Sequence, residues 1–287
     1  MTNDKKVYAT LADYGYKDYS WVKKITRVLS AIGVAIVIAM MYLSIIVIFI
    51  QSVNSSSNIN VFDKFTFKWY FEIFSHRALK NAIINTFIVS IATTIISTIA
   101  GTFIAVGIHS LEKKKKQRIM LINNIPILNA DIVTGISLML IFSLLLPIFP
   151  YIFGPITLVI AHLFFTLPYV ILSVLPKLRE VDENLMDAAL DLGVKPYKAL
   201  IKVVIPSIVS GIFAGMLMSF TMSLDDFVIS YFTTGNGFDN LSIWIYGSIG
   251  RRSLTPAVYA FSSLLTFITL IGVIGVSLLK TKRRKKA

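Results

Sequence analysis

Cysteine is absent from the chain, histidine occurs three times, and only 15% of the residues are charged. The missing cysteine excludes disulfide scaffolds, cysteine zinc sites, iron–sulfur clusters and thiol nucleophiles, and leaves no basis for reading a redox compartment. Acids are the scarcer sign: 15 Asp and Glu stand against 28 Lys and Arg, so the 287 residues carry a formal charge of +13. No glycine-rich phosphate loop of the Walker kind occurs, so the chain is not expected to hydrolyse ATP. Nor does any Ser/His/Asp set or metal-ligand cluster stand out; neither a cofactor nor a metal is expected. Apolar residues are abundant at 55%, with a mean hydropathy of +0.74, far above that of a water-soluble domain. The same abundance argues against a nucleic-acid binder, which spreads its basic residues over a soluble folded surface.

A bilayer core of about 30 Å takes about 20 apolar residues in helical form. Six such runs occur, approximately Val28 to Ile50, Ala82 to Ile108, Ile119 to Leu146, Ile152 to Leu175, Ser207 to Phe232 and Ala257 to Leu279. The expected fold is therefore all-α, a polytopic membrane protein with six transmembrane helices. The first run is too long for a signal peptide and no small-residue cleavage site follows it, so it reads as a membrane anchor. Alternate inter-span segments, with the two chain ends, hold 22 of the 28 basic residues, including Lys113 to Lys116 and Lys282 to Lys286. Because Lys and Arg near span ends stay in the cytoplasm, both termini are expected there, with the basic runs against anionic lipid headgroups. The organisation that follows is a cytoplasmic segment 1–27, one transmembrane domain 28–279 and a basic tail 280–287.

Two connections are long. The outer one, 51–80, turns through Ser and Asn and then becomes aromatic, with Phe62, Phe65, Phe67, Trp69, Tyr70, Phe71 and Phe74. Such residues suit a membrane-interface belt or a surface that receives another protein. The inner one, 176–206, reads as two short helices around a corner. Asp182 is a candidate N-cap, Gly193 stands where a left-handed C-terminal cap is required, and Pro196 fits the first turn of the second helix, which runs to Pro206. Val181, Leu185, Ala188, Ala189 and Leu192 share one apolar stripe, small in the middle, suited to a groove on a soluble partner. An ion-coupled carrier or channel has no need of such a helix.

Asp187-Ala188-Ala189, three residues, Gly193, nine residues and then Val203-Val204-Ile205-Pro206 resemble the signature of permease subunits of bacterial ABC importers, type I, with Asp187 where Glu is usual. The resemblance implies that this loop is the coupling element docking on cytoplasmic ATPase subunits. It also implies a second permease subunit, and an extracellular or periplasmic binding protein, at the bacterial cytoplasmic membrane. Further stretches are similar to spermidine/putrescine permeases of that family, the second of the two (permease C). They are Phe65 to Tyr70, Leu79 to Ala82 with Asn85-Thr86, Ser219 to Val228, Phe232 to Gly235, and Ile245-Tyr246 through Arg251 to Thr255-Pro256. Ala130 before Asp131 and Leu241-Ser242 depart from that pattern, where proline is common.

Carboxylates inside a membrane are costly and face a cavity or a partner. Asp131 in the third run, and Asp225 with Asp226 late in the fifth, are the three here. Neighbours on a helix point about 100° apart, so Asp225 and Asp226 cannot both face one lumen. A polyamine, an apolar chain with separated ammonium groups, needs spaced carboxylates and aromatic faces, which Asp225, Asp226, Asp131, Phe227, Tyr231 and Tyr246 supply. The competing reading makes Asp131, Asp225 or Asp226 a helix cap or a partner to a base on another subunit. His162 reads as a packing or hydrogen-bonding group. A sugar, phosphate or iron complex as cargo, or ion-coupled transport, remains open at this point.

Overall fold

The computed structural model describes residues 20–56, 58, 61–182, 184–235, 237–250 and 256–284, of which 20–23, 250 and 272–284 are described as backbone only. Most of the expected N-terminal segment, the Arg251–Thr255 stretch and the last three residues of the tail lie outside the described residues. Those described are helical, without a strand; an isolated antiparallel bridge pairs Asn54 with Phe65. The chain divides into two compact units, 1–70 with 259–287, and 71–258.

In the first unit, α1 (Ser20–Ser52) carries no charge from Val28 to Ile50 and leaves its most apolar stretch uncovered, as a lipid-facing helix does. The outer segment that follows is built around Asn54, fully buried, whose carbonyl accepts the Trp69 indole N–H. The Tyr70 hydroxyl, on the first part of α2 (Lys68–Ser75), bonds Ser52 Oγ at 2.9 Å and Ser263 Oγ at 2.8 Å, the latter on α12 (Ala257–Arg284). Phe62, Phe65 and Phe67 remain exposed beside this polar knot, and Trp69 is buried.

The second unit is organised on three helices, α3 (Arg77–His109), α6 (Pro155–Glu180) and α9 (Val209–Asp225). Where lipid is as apolar as leucine, helices associate through close packing and small polar contacts. The buried face of α3 is correspondingly Thr86, Ser90, Thr93, Thr94, Ser97 and Gly101, and that of α9 is Gly211, Gly215, Ser219 and Ser223 at every fourth residue. Ser97 and Ser219 meet at 2.6 Å. Val170 of α6 fills the crossing: a Cβ on Gly101 would lie 2.7 Å from its Cγ1, and one on Gly215 3.1 Å from its Cα. Toward one end the packing becomes apolar, with Ala105, Ile108, Ile171, Val174, Leu175, Leu178 and Ile208. A second cluster joins α5 (Asp131–Leu145) to α6 through Leu138, Phe142, Ala161, Phe165 and Ile229.

Three described helices are individually long and apolar enough to cross a membrane: 24–52, 77–109 and 155–180. The third and fifth expected runs are not single helices. The third is α4 (Lys113–Leu128) followed by α5, bent by 101°. Pro126 lacks the N–H that would tie the last turn of α4, Asn129 and Ala130 are extended, and Asp131 restarts the chain with a carboxylate at the favourable end of α5. In the fifth, α8 (Pro196–Ser207) meets α9 at 74° across Ile208. Residues Leu200–Val204 of α8 widen into a π-helix just before Pro206, which has no N–H for an ordinary helical bond. The expected run Ser207 to Phe232 also stops early, at Asp225. Counting each bent pair as one span gives five among the described residues, and the sixth run falls on α12.

Candidate functional site

The helix break at Asp226 organises the site. α9 ends at Asp225, Asp226 is extended, and a separate short helix, α10 (Val228–Thr233), begins. The Asp226 carboxylate causes this: its Oδ2 accepts the Ser230 N–H at 2.7 Å, one of the free donors at the start of α10. The same oxygen lies 3.6 Å from His162 Nε2 on α6, and both side chains are nearly sealed from solvent, at 9% and 1% exposure. His162 Nδ1 bonds Ser223 Oγ at 2.6 Å and Nε2 bonds Ser230 Oγ at 2.9 Å. Asp226 thus points into the helix packing, while Asp225, one residue earlier, is exposed.

Just past the break three rings meet. Phe227 lies 4.9 Å from Tyr246 and 5.6 Å from Tyr231, and Tyr231 lies 5.7 Å from Tyr246, centroid to centroid. Tyr246 comes from α11 (Leu241–Gly250), which is brought to the break by Asn240. Its Oδ1 accepts the Ile243 N–H at 2.9 Å as an N-cap, and its Nδ2 donates to the Asp226 carbonyl at 3.4 Å. Tyr231 and Tyr246 keep 48% and 55% of their surface exposed. A carboxylate two residues from a triangle of accessible rings can hold an ammonium group by charge on one side and by ring faces on the other.

Asp131 is elsewhere. It is exposed in the first turn of α5 and makes no hydrogen bond or ion pair among the described residues, so the structure does not join it to the triangle. Ser223, Ser230 and Asn240 have structural parts in the site that sequence reading did not assign. Asn240 carried a usable signal, a capping residue before an apolar run. Ser223 and Ser230 carried none, because their partner is remote in sequence.

The inner loop forms as its local chemistry dictates. α7 (Asn184–Asp191) starts with Asp182 Oδ1 accepting the Asn184 N–H at 3.0 Å. It ends at Gly193, φ +76°, with the Val194 N–H on Ala189 O and the Gly193 N–H on Leu190 O, the two bonds of a Schellman cap. Ala189 is buried and Ala188 and Asp187 are exposed, as are Leu185, Leu192, Tyr197 and Ile201, so the apolar stripe is largely uncovered. Behind it lies a cavity of about 450 Å³, between Val106 and His109 of α3, Leu178 of α6, Met186 and Asp187 of α7 and Leu200 of α8.

Residues 97–285 match the family described as the binding-protein-dependent transport system inner membrane component. The chain belongs to that family. It is an ABC transporter permease, and its homologues are transport subunits. Permease protein PotC of the spermidine/putrescine transport system of Escherichia coli (strain K12) is 29% identical over 247 residues, 86% of this chain and 92% of that one. Putrescine transport system permease protein PotI of the same strain is 29% identical over 238 residues, 82% and 84% of the two chains. PotC of Haemophilus influenzae is 28% identical over 247 residues, 86% and 94% of the two. Among solved structures, a bacterial ABC transporter involved in import of the acidic polysaccharide alginate covers 92% of this permease and 98% of its own chain. Its TM-score is 0.65 at 12% identity, a likeness of fold alone.

Proposed function

We propose that this permease carries polyamines, spermidine or putrescine, inward across the bacterial cytoplasmic membrane, as one of two permeases driven by separate ATPase subunits and supplied by an extracellular or periplasmic binding protein. Six spans with both termini in the cytoplasm give the topology, and the basic bias of alternate segments supports it. The observation that carries the choice of cargo is the meeting of Phe227, Tyr231 and Tyr246 just past the helix end at exposed Asp225. The names of the PotC and PotI relatives support the same class.

Asp225 takes one ammonium, the ring triangle takes the methylene chain and the adjoining cation, and Asp131 offers a second carboxylate further along the pathway. Asp226 serves the site from behind, by fixing the break. The loop from Asp182 to Gly193, with Asp187, Ala188 and Ala189 on its helix and Pro206 at its return, docks on the ATPase subunit and passes ATP-driven closure to the spans. Membrane lipid surrounds the apolar faces, and nucleic acid has no part.

The test is ATP hydrolysis by the complete complex with its binding protein loaded in turn with spermidine, putrescine, a sugar and phosphate. Polyamine alone stimulates the wild type on this reading, and Asp225→Asn requires about tenfold more loaded binding protein, the loss expected for one charged contact. Stimulation by the sugar or phosphate instead would refute the cargo.

A further inference from the structure

The proposed transport path makes no direct use of His162, although it is fully enclosed and every polar atom of its ring is engaged. A buried imidazole is costly unless both nitrogens are bonded; the neighbouring inward positions of α6 hold Leu158, Ala161, Phe165 and Thr166, whose hydroxyl is satisfied by the His162 carbonyl within its own helix, whereas the His162 ring bonds only residues outside α6. Its partners lie on both sides of one break: Ser223 in the last turn of α9, Asp226 in the extended link and Ser230 in α10. A single side chain on α6 therefore sets the position of α10 relative to α9. Asn240 braces the same link from α11.

We infer that His162 is a positioning residue for the cation site: by holding Ser223, Asp226 and Ser230 it turns Asp226 inward and leaves Asp225 with Phe227 and Tyr231 on the outward side. The use made of that side rests on the polyamine reading, but the positioning itself does not. Without the imidazole, Asp226 loses its polar neighbour on α6 and α10 loses a fixed attachment, so Asp225 and the rings no longer share one orientation. His162→Gln keeps a donor and an acceptor at the end of a side chain of similar reach, whereas His162→Leu keeps volume alone.

The absence of cysteine from this chain supplies the readout. In the assembled complex, Asp225→Cys is labelled by a water-borne cationic thiol reagent, with His162 intact, as His162→Leu and as His162→Gln. The rate changes by about tenfold in His162→Leu, the effect of losing one or two hydrogen bonds, and returns to about the original in His162→Gln. An unchanged rate in His162→Leu overturns the inference, as does an equal change in both variants. Should His162→Leu prevent assembly, the paired Ser223→Ala and Ser230→Ala replacement gives the same comparison. Polyamine uptake is measured in parallel: it falls in His162→Leu and recovers in His162→Gln. A wild-type complex that transports no polyamine refutes the cargo alone, because the labelling needs none.

Discussion

Asp225 and Asp226 are chemically identical neighbours with opposite surroundings, and their replacements separate binding from folding. Asp226, just before the N-cap Phe227, accepts the Ser230 N–H in the first turn of α10 and lies beside His162, so Asp226→Ala removes a hydrogen bond worth about 1 kcal/mol and strands part of a buried polar network. The expected outcome is a lower thermal unfolding temperature of the purified complex. Asp225 is exposed and lies outside the His162 network, so Asp225→Asn is expected to leave that temperature unchanged while weakening transport. Equal destabilisation by the two replacements would show that the break is not held as described. The sequence made the two acids visible through the rarity of carboxylates in apolar runs, and helical spacing required them to diverge. What divides them is instead the end of the helix: the capping role that the competing reading gave these acids falls to Asp226, through a backbone donor four residues on, while the histidine 64 positions earlier left no local pattern.

Elements whose ends are fixed by nearby capping chemistry were readable as separate helices, and apolar runs broken within their length were read as single spans. Asp182, Gly193 and Pro196 each act within a few residues, as a side-chain cap, a left-handed turn and a first-turn proline, and α7 and α8 form accordingly. By contrast, the hydropathy of Ile119 to Leu146 and of Ser207 to Phe232 counts composition and not backbone direction, so the breaks at 129–130, 208 and 226 do not show in it; their local signs are Pro126, Pro206 and the capping reading of Asp131, Asp225 and Asp226. Gly193→Ala places a side chain at φ +76° at a cost of about 1–2 kcal/mol, whereas Gly193→Asn is tolerated better. Co-purification of the ATPase subunit is expected to fall in the first and persist in the second; equal retention in both would separate the corner from coupling. Gly215→Leu forces bulk against Val170, where overpacking costs about 1–3 kcal/mol. Its expected effect is loss of heat-stable complex, and a wild-type melting curve would contradict the close crossing of α6 and α9.

For the whole molecule, the proposed topology makes the excess of basic over acidic residues a signal of orientation. With 22 of 28 Lys and Arg on alternate segments, Lys114→Cys is expected to react with a membrane-impermeant thiol reagent only after cells are opened; labelling of intact cells would reverse the orientation. On the proposed reading the rare acids have the opposite task, meeting a cation at depth, and Phe227, Tyr231 and Tyr246 supply the faces that a polyamine chain requires. Uptake of labelled spermidine into proteoliposomes holding both permeases, the ATPase subunits and the binding protein is the most direct test. ATP-dependent accumulation by the wild type, reduced about tenfold or more at limiting substrate by Asp225→Asn, is the expected result. Accumulation that is absent in the wild type, or unaffected by Asp225→Asn, would contradict it.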